Sequence, residues 1–503
     1  MTLNRKLQGS ATASVVMVAI LALGGCVSSD GLSTKGRMTD ISALSAGKSL
    51  DVSSTRGSTR FASTWPAADW WHALGDPQLD ALIDEAMQGN PDLTAADARL
   101  RKAMASAVAA DAARKPNISG SASVQAIHVP SDVLPGGATD EDFTPKILGL
   151  SGSYSGSLLG MRHATWEAAL GREHAMEVET RAARLALSAE VTRTYARLAH
   201  AHFAHDLAAQ DVERSSSFLA LTTQRVKAGI DGMQQQRLAE ASSASSRKQL
   251  EQASHEIERE QIALAVLVGK GPDRGMEIGR PAMLHPVALA LPDNLPADLL
   301  GRRPDIVAAR WRVEAAAKDI EAAKAGFYPS FNLNAAIGLV SFHTDQLLSL
   351  RSRYFSVAPA LSLPIFDADR LRAGLAGGNA GFDLAVADYN KTLVGALNDV
   401  ALQMRSVRSL DNEAAVQRQA VESARDGWQM ASQRYRRGIA SQLETLAMQQ
   451  AVLNAEAAMA DIEAAQIESA IRLVQSLGGG YAAAQNEMPP DTINKNQTSG
   501  TPS

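Results

Sequence analysis

Three histidines within six residues, His200, His202 and His205 in "HAHFAH", a serine between glycines in "GSYSG" at 152–156, and a lone cysteine, Cys26, are the side chains of this 503-residue chain whose type and spacing could do chemistry. The first group could hold a metal, the second a nucleophile, and the third could be acylated. On a helix only His202 and His205 share a face, at i and i+3, and a zinc site wants three or four ligands. A solvated or tunnel-lining cluster is the expected reading. Ser155 lies among residues that alternate in polarity as a strand does, without the strand-to-helix turn that presents a hydrolase serine. No Gly-x-x-x-x-Gly-Lys-Ser/Thr loop and no His-Glu-x-x-His occurs. No catalytic residue, metal or cofactor is expected, and the chain does not read as an enzyme.

Cys26 has a clearer context. Arg5 and Lys6 give a positive start, and the apolar "ATASVVMVAILALGG" follows. At about fifteen residues the run is short for a membrane span and suits the core of a secretory signal. It ends Leu23-Gly24-Gly25-Cys26, which resembles a bacterial lipobox, with residues 1–25 removed and the thiol of Cys26 taking a diacylglycerol. The competing reading is a chance cysteine in a signal segment. A lone cysteine forms no internal disulfide, and secreted chains usually pair their thiols, so lipidation explains both the count and the position. Val27 rather than Asp follows Cys26, which points to the outer membrane. Residues 26–64, rich in Ser, Thr and Gly without periodicity, read as a flexible tether, and residues 482–503 as a disordered tail.

The elements that would carry these residues are helical. Aromatics are only 5% of the chain, and long stretches are rich in Ala, Gln, Glu and Arg, a balance that favours long helices. A net charge of -5 gives no reason to expect a nucleic acid partner. Beyond the signal no apolar run approaches the length of a transmembrane helix, so any crossing must be made by β-strands.

The chain repeats itself. "NPDLTAADARLRKAMASAVAADAARKPNISGSA" begins at Asn90 and "RPDIVAARWRVEAAAKDIEAAKAGFYPSFNLNAA" at Arg303. Each opens with Pro-Asp and an aliphatic residue, and in each the second proline follows the first by 25 residues. "QRVKAGI" at Gly229 and "QRYRRGI" at Gly438 stand 209 residues apart, close to the offset of 213 between the prolines. Three landmarks in one order indicate a tandem duplication, 65–294 and 295–481.

Behind each second proline the pattern has period two. Ile118, Ala122 and Val124 alternate with serines, as do Leu148, Leu150, Tyr154 and Leu158; Phe331, Leu333, Ala335, Ile337 and Leu339 follow in the second unit, then Phe355, Val357, Leu361 and Leu363. These spacings predict two hairpins, 117–158 and 330–364, of strands about ten residues long, the length of a tilted transmembrane strand. A half-buried soluble sheet is the alternative for the strands alone. Pro359 weakens the last strand or marks its end.

After each hairpin a long helix is expected, from about Met161 to the turn at Gly229 and from about Asp367 to the turn at Gly438. Either would be roughly 100 Å long. Val386, Tyr389, Leu393, Leu397, Val400, Met404 and Val407 recur at a mean of about 3.5 residues, the coiled-coil period, and the chain after each glycine turn supplies a returning partner helix. Four strands cannot close a barrel, and open edges facing lipid cost several kcal/mol per unpaired group. Copies must therefore pool strands, two giving eight and three giving twelve, and the helices would pool into a hollow bundle. A lipid-anchored tube of that length, opening through one membrane, is a conduit.

From Cys26 to Tyr481 the chain resembles the TolC-like outer membrane factors, specifically the NodT-type lipoprotein branch of resistance–nodulation–division (RND) efflux systems. The resemblance rests on "WWHALGDPQLDALIDEAMQGNPDL" at 70–93, "LPADLLGRRPDIVAAR" at 295–310, "LSLPIFDADRLRAGL" at 361–375 and "SLGGGY" at 476–481. It implies a mainly α fold with a membrane β-barrel: a homotrimer with a 12-stranded β-barrel over a 12-helix α-barrel tunnel, docked to a periplasmic adaptor and an inner membrane RND-type pump and set in outer membrane lipid. It also implies a constriction at the periplasmic tip, made by an apolar residue and an acidic one a turn later. Leu443 stands at the apolar position; Ala447 stands where the acid belongs, and Glu444, the nearest acid, either substitutes for it or, as the favoured reading, faces solvent. Arg436 and Arg437 lie beside the turn, in reach of a neighbouring helix. The turns at Gly229 and Gly438 resemble the tips that meet the adaptor; glycine there is equally a helix C-cap. A type I protein secretion channel would share this fold. Lipidation and the 295–306 segment favour small-molecule efflux, and the strands argue against a plain coiled-coil spacer.

Overall fold

The computed structural model describes residues 31–44, 61–62, 65–130, 141–157, 159–282, 289–290 and 295–482. The signal segment, Cys26 and the tail beyond Ala482 lie outside the described residues.

The four long strands, β1 (Asn117–Val124), β2 (Lys146–Ser157), β3 (Ser330–Ser341) and β4 (Arg353–Ser362), form one antiparallel sheet in the order β1-β2-β3-β4. The hairpins of the two units thus join through β2 and β3. The register sets Leu150 opposite Gly120 and Ile337, and Ile337 opposite Phe355. Because the side-chain period is two, one aligned register makes every strand agree on its face. One face carries Ile118, Leu148, Leu150, Tyr154, Ile337, Phe355 and Val357, all exposed, with Ile337 at 62% and Phe355 at 83%. The opposite face carries Ser119, Ser151, Ser153 and Ser356, and the hydroxyls of Ser119 and Ser151 share a hydrogen bond of 2.9 Å. A single protomer leaves β1 and β4 with one neighbour each. Pro359 lies on the edge strand β4, where its missing donor is tolerated.

The helices of eight or more residues are α1 (Pro77–Gly89), α2 (Pro91–Ala112), α3 (Met161–Lys227), α4 (Met233–Leu267), α5 (Leu295–Arg302), α6 (Pro304–Ala325), α7 (Ala368–Arg436) and α8 (Gln442–Ser476). Their starts follow local chemistry. Asp76 and Asn90 cap α1 and α2 with side-chain oxygens, and proline occupies the first position of α1, α2 and α6, where no amide hydrogen is needed. At 67 and 69 residues, α3 and α7 match the expected long helices.

The apolar seam of α7 has two partners. All seven seam residues are buried, but Val386, Tyr389 and Leu393 pack with Ile306, Ala309 and Val313 of α6, whereas Leu397, Val400, Met404 and Val407 join Ile467, Ile471 and Val474 of α8. Length explains the division. With 35 residues, α8 covers about half of α7, and α6 takes the remainder.

The expected tether is partly docked. Lys35 and Gly36 donate their backbone N–H groups to Asp383 Oδ1 at 2.9 and 2.7 Å, Thr39 donates to Asn390 Oδ1 at 2.8 Å, and Asn390 Nδ2 returns a bond to the carbonyl of Arg37. Leu32, Met38, Ile41 and Leu44 pack against the α6–α7 core. Residues 31–44 are therefore a strap on α7, held by side chains of a segment some 350 residues away in sequence.

Each unit ends on a glycine that only glycine can be. Gly269 and Gly478 cap α4 and α8 with φ of 74° and 98°, and a Cβ there would stand 2.1 Å from the carbonyl oxygen of Gly89 and 2.0 Å from that of Arg302. Both carbonyls belong to the residues two places before Pro-Asp, so the same closure is built twice.

Candidate functional site

The end of the helical body farthest from the sheet is formed by the α3–α4 and α7–α8 turns. Both close in the same way. Gly229 and Gly438 take φ of 75° and 74°, and the following amides, Ile230 and Ile439, reach back to the carbonyls of Arg225 and Arg434 at 2.9 Å each. This is the six-to-one bond of a Schellman cap, which requires a left-handed residue.

Equivalent arginines brace the two turns through different acids. Arg225 grips Asp231 with two bonds, Nε to Oδ2 at 2.7 Å and Nη2 to Oδ1 at 3.0 Å. The hydrogen bonding from Arg225 holds the Asp231 carboxyl below the usual carboxylate range, and the same contact raises Arg225. In the second turn Arg434 Nη1 pairs with Glu444 Oε1 at 3.2 Å, and Tyr435 donates its hydroxyl to Gln442 Oε1 at 3.4 Å. Ser441 caps α8, its hydroxyl accepting from the Glu444 amide, while α4 starts at Gly232 without a side-chain cap. Glu444 is partly exposed and paired with Arg434, because the first turn of α8 lies opposite the last turn of α7. The braces were missed in the sequence, although the repeated Gln-Arg before each turn carries them.

Leu443 is half-buried and Ala447 exposed, one helical turn apart on the same side of α8, while Leu446 is buried. A partly exposed apolar pair therefore sits just inside the second turn. Arg436, Arg437 and Gly438 are exposed, and neither arginine has an ion-pair partner among the described residues.

The histidines of "HAHFAH" do not converge. His200 Nε2 lies 2.9 Å from Asp461 Oδ1 of α8, and His205 lies 3.8 Å from Asp206. His202 Nε2 is buried without a hydrogen-bond partner among the described residues. Burial pushes His202 below the usual imidazole range, with Arg280 and His205 adding to the shift and Asp206 opposing it. Ser155 sits within β2, paired with Asn332, two residues before the strand ends at Ser157 and not in the turn that leads to α3.

Comparison with known proteins follows the same geometry. The outer membrane efflux protein family matches residues 82–270 and 295–479, one match per repeat. The fusaric acid resistance protein FusA of Burkholderia cepacia is 37% identical over 384 residues, covering 75% of this chain and 71% of that protein. The multidrug resistance outer membrane protein MdtP of Escherichia coli K12 is 31% identical over 431 residues, covering 84% of this chain and 88% of that protein. The crystal structure of the outer membrane protein VceC of Vibrio cholerae superposes with a TM-score of 0.75 at 33% identity, covering 83% of this chain and 100% of that one. With an apolar sheet face, two free sheet edges and paired helical tips in one duplicated protomer, this chain belongs to the outer membrane efflux protein family.

Proposed function

We propose that the protein is the outer membrane channel of a tripartite efflux system, a passive homotrimeric conduit that carries small toxic molecules from an inner membrane RND-type pump, through a periplasmic adaptor, to the outside. One observation carries this reading. The four-stranded sheet presents a continuous apolar face and two unpaired edges. Such a sheet is stable in lipid only when closed, and three copies supply twelve strands, above the minimum of about eight. The helices pooled below it extend roughly 100 Å, and the exposed tip turns at Gly229 and Gly438 are the surfaces offered to the adaptor. The drug and fusaric acid resistance named for the relatives supports small molecules as cargo.

Lipidation at Cys26 fits the strap. Gly36 is fixed opposite Asp383, and ten extended residues reach about 35 Å. The first turn of α7, next to the sheet, is about 22 Å from Asp383 along the helix. An acyl chain on Cys26 therefore has enough tether to enter the membrane beside the barrel.

The test is a strain lacking the gene, assayed for susceptibility to drugs, dyes, detergents and organic acids together with its secreted proteins. Hypersensitivity with normal secretion is the expected outcome. Lost secretion with unchanged susceptibility would move the channel to type I protein export.

A further inference from the structure

Between α3, α4 and α8, on the tip side of the His200–Asp461 contact, lies a cavity of about 510 Å³. That volume falls in the range of small-molecule sites. Its walls mix alanines and leucines with polar side chains: Ser245 and Gln249 from α4, Gln450, Asn454 and the acid Asp461 from α8, and Arg214 from α3. We propose that this cavity binds small organic carboxylates, with Arg214 as the recognition residue.

The arrangement of Arg214 carries the inference. Its side chain is only 7% exposed, and its Nε donates to Asp211 Oδ1 at 2.8 Å. Asp211 then has a partner on each oxygen, since the other one accepts from the Ser246 hydroxyl. The far edge of the guanidinium is different. Nη1 and Nη2 have no hydrogen-bond partner among the described residues, yet they are not sealed from the cavity that Arg214 lines. Two parallel N–H donors on a planar edge match the two oxygens of a carboxylate, the geometry in which arginine is most selective. The amide and hydroxyl side chains around it can bond the remaining polar atoms of the same molecule.

A purely structural role explains less. The second repeat places Ala420, Ser423 and Ala455 at the positions 209 residues on from Asp211, Arg214 and Ser246, and α7 and α8 pair there without a buried ion pair. Helix pairing at this level does not need the pair.

This inference does not rest on the efflux reading, and its test is a binding measurement on the isolated protein. Full-length protein, purified in detergent, is titrated calorimetrically with succinate and with its uncharged analogue succinamide. Succinate is expected to bind at one site per chain, with succinamide at least about tenfold weaker. Arg214→Lys keeps the charge opposite Asp211 but loses the planar edge, and should weaken succinate by about tenfold or more. Ser245→Phe, at the exposed wall of the cavity, leaves the ion pair intact and should abolish binding. Melting curves establish that both variants are folded. The proposal is overturned if wild-type protein takes up no succinate in the millimolar range, if succinamide binds equally well, or if a folded Ser245→Phe variant binds as wild type does.

Discussion

Arg303 Nη1 donates to the carbonyl oxygen of Ser476 at 3.1 Å, and one repeat earlier Asn90 Nδ2 donates to the carbonyl oxygen of Leu267 at 2.9 Å. Both donors immediately precede a Pro-Asp, and both acceptors lie at the end of the last helix of a unit. The duplicated "PD" landmark is thus the latch that joins the start of one helix to the end of another. Arg303 also reaches the carbonyl of Ala396 at 3.4 Å and pairs with Asp305, so the second latch ties α6, α7 and α8 together.

Removing the latches should cost stability unequally. Asn90→Ala loses a cap and one long-range bond, about 1–2 kcal/mol. Arg303→Ala loses two bonds from a charged donor to carbonyls, about 2–4 kcal/mol. Arg303→Lys should not rescue, because the fork is lost. Thermal unfolding of the purified protein measures the order; equal effects of the two alanine variants would argue against it.

The Arg225–Asp231 brace should depend on pH with a defined sign. The folded carboxyl is depressed, so its contribution is fully present above the unfolded value of about 3.9 and is lost as pH falls through the lower folded value. Limited proteolysis at the first tip should therefore quicken only below about pH 4. Asp231→Asn should cleave as fast at neutral pH as wild type does in acid.

His202 should act in the same direction but in a higher pH window. Its folded pKa is lowered, so the unfolded chain takes up protons first as pH drops below about 6.5, and stability declines from there until the folded imidazole also protonates. His202→Gln should flatten the melting temperature between pH 7 and pH 5, with Asp206, His205 and Arg280 unchanged. A slope that survives the substitution would assign the effect to another group.

At the second tip, Leu443→Ser should raise single-channel conductance and susceptibility to bulky antibiotics, as expected of an apolar constriction. Ala447→Asp should introduce block by divalent cations that the wild-type channel lacks. Unchanged conductance in both would place the constriction elsewhere.

The two faces of the sheet should respond differently to charge. Phe355→Arg places a cation on the apolar face and should cost about 2–4 kcal/mol if it lies near the bilayer midplane, visible as lost outer membrane assembly. Ser356→Arg, one residue on and facing the other side, should assemble normally.

Local periodicity alone determined much of this protein. The strand alternation around Ile337 and Phe355, the run of α3 from Met161 to the Gly229 turn, and the duplicated landmarks are all readable in order, because a strand or helix must repeat its apolar residues with the period of its own backbone. What covers an apolar face is not part of that period. The seam on α7 is continuous in sequence, yet α6 and the strap take one half and α8 the other, a division set by helix length and chain path. The strap at 31–44 has neither helix nor strand period, since it is held by backbone amides bonded to Asp383 and Asn390 and by the scattered apolar residues Leu32, Met38, Ile41 and Leu44. Likewise Glu444 found Arg434, and Arg214 kept a free edge, only because folding brought distant turns of helix together. Tertiary contacts between residues far apart in the chain leave no local spacing to read, and the structure alone decided them.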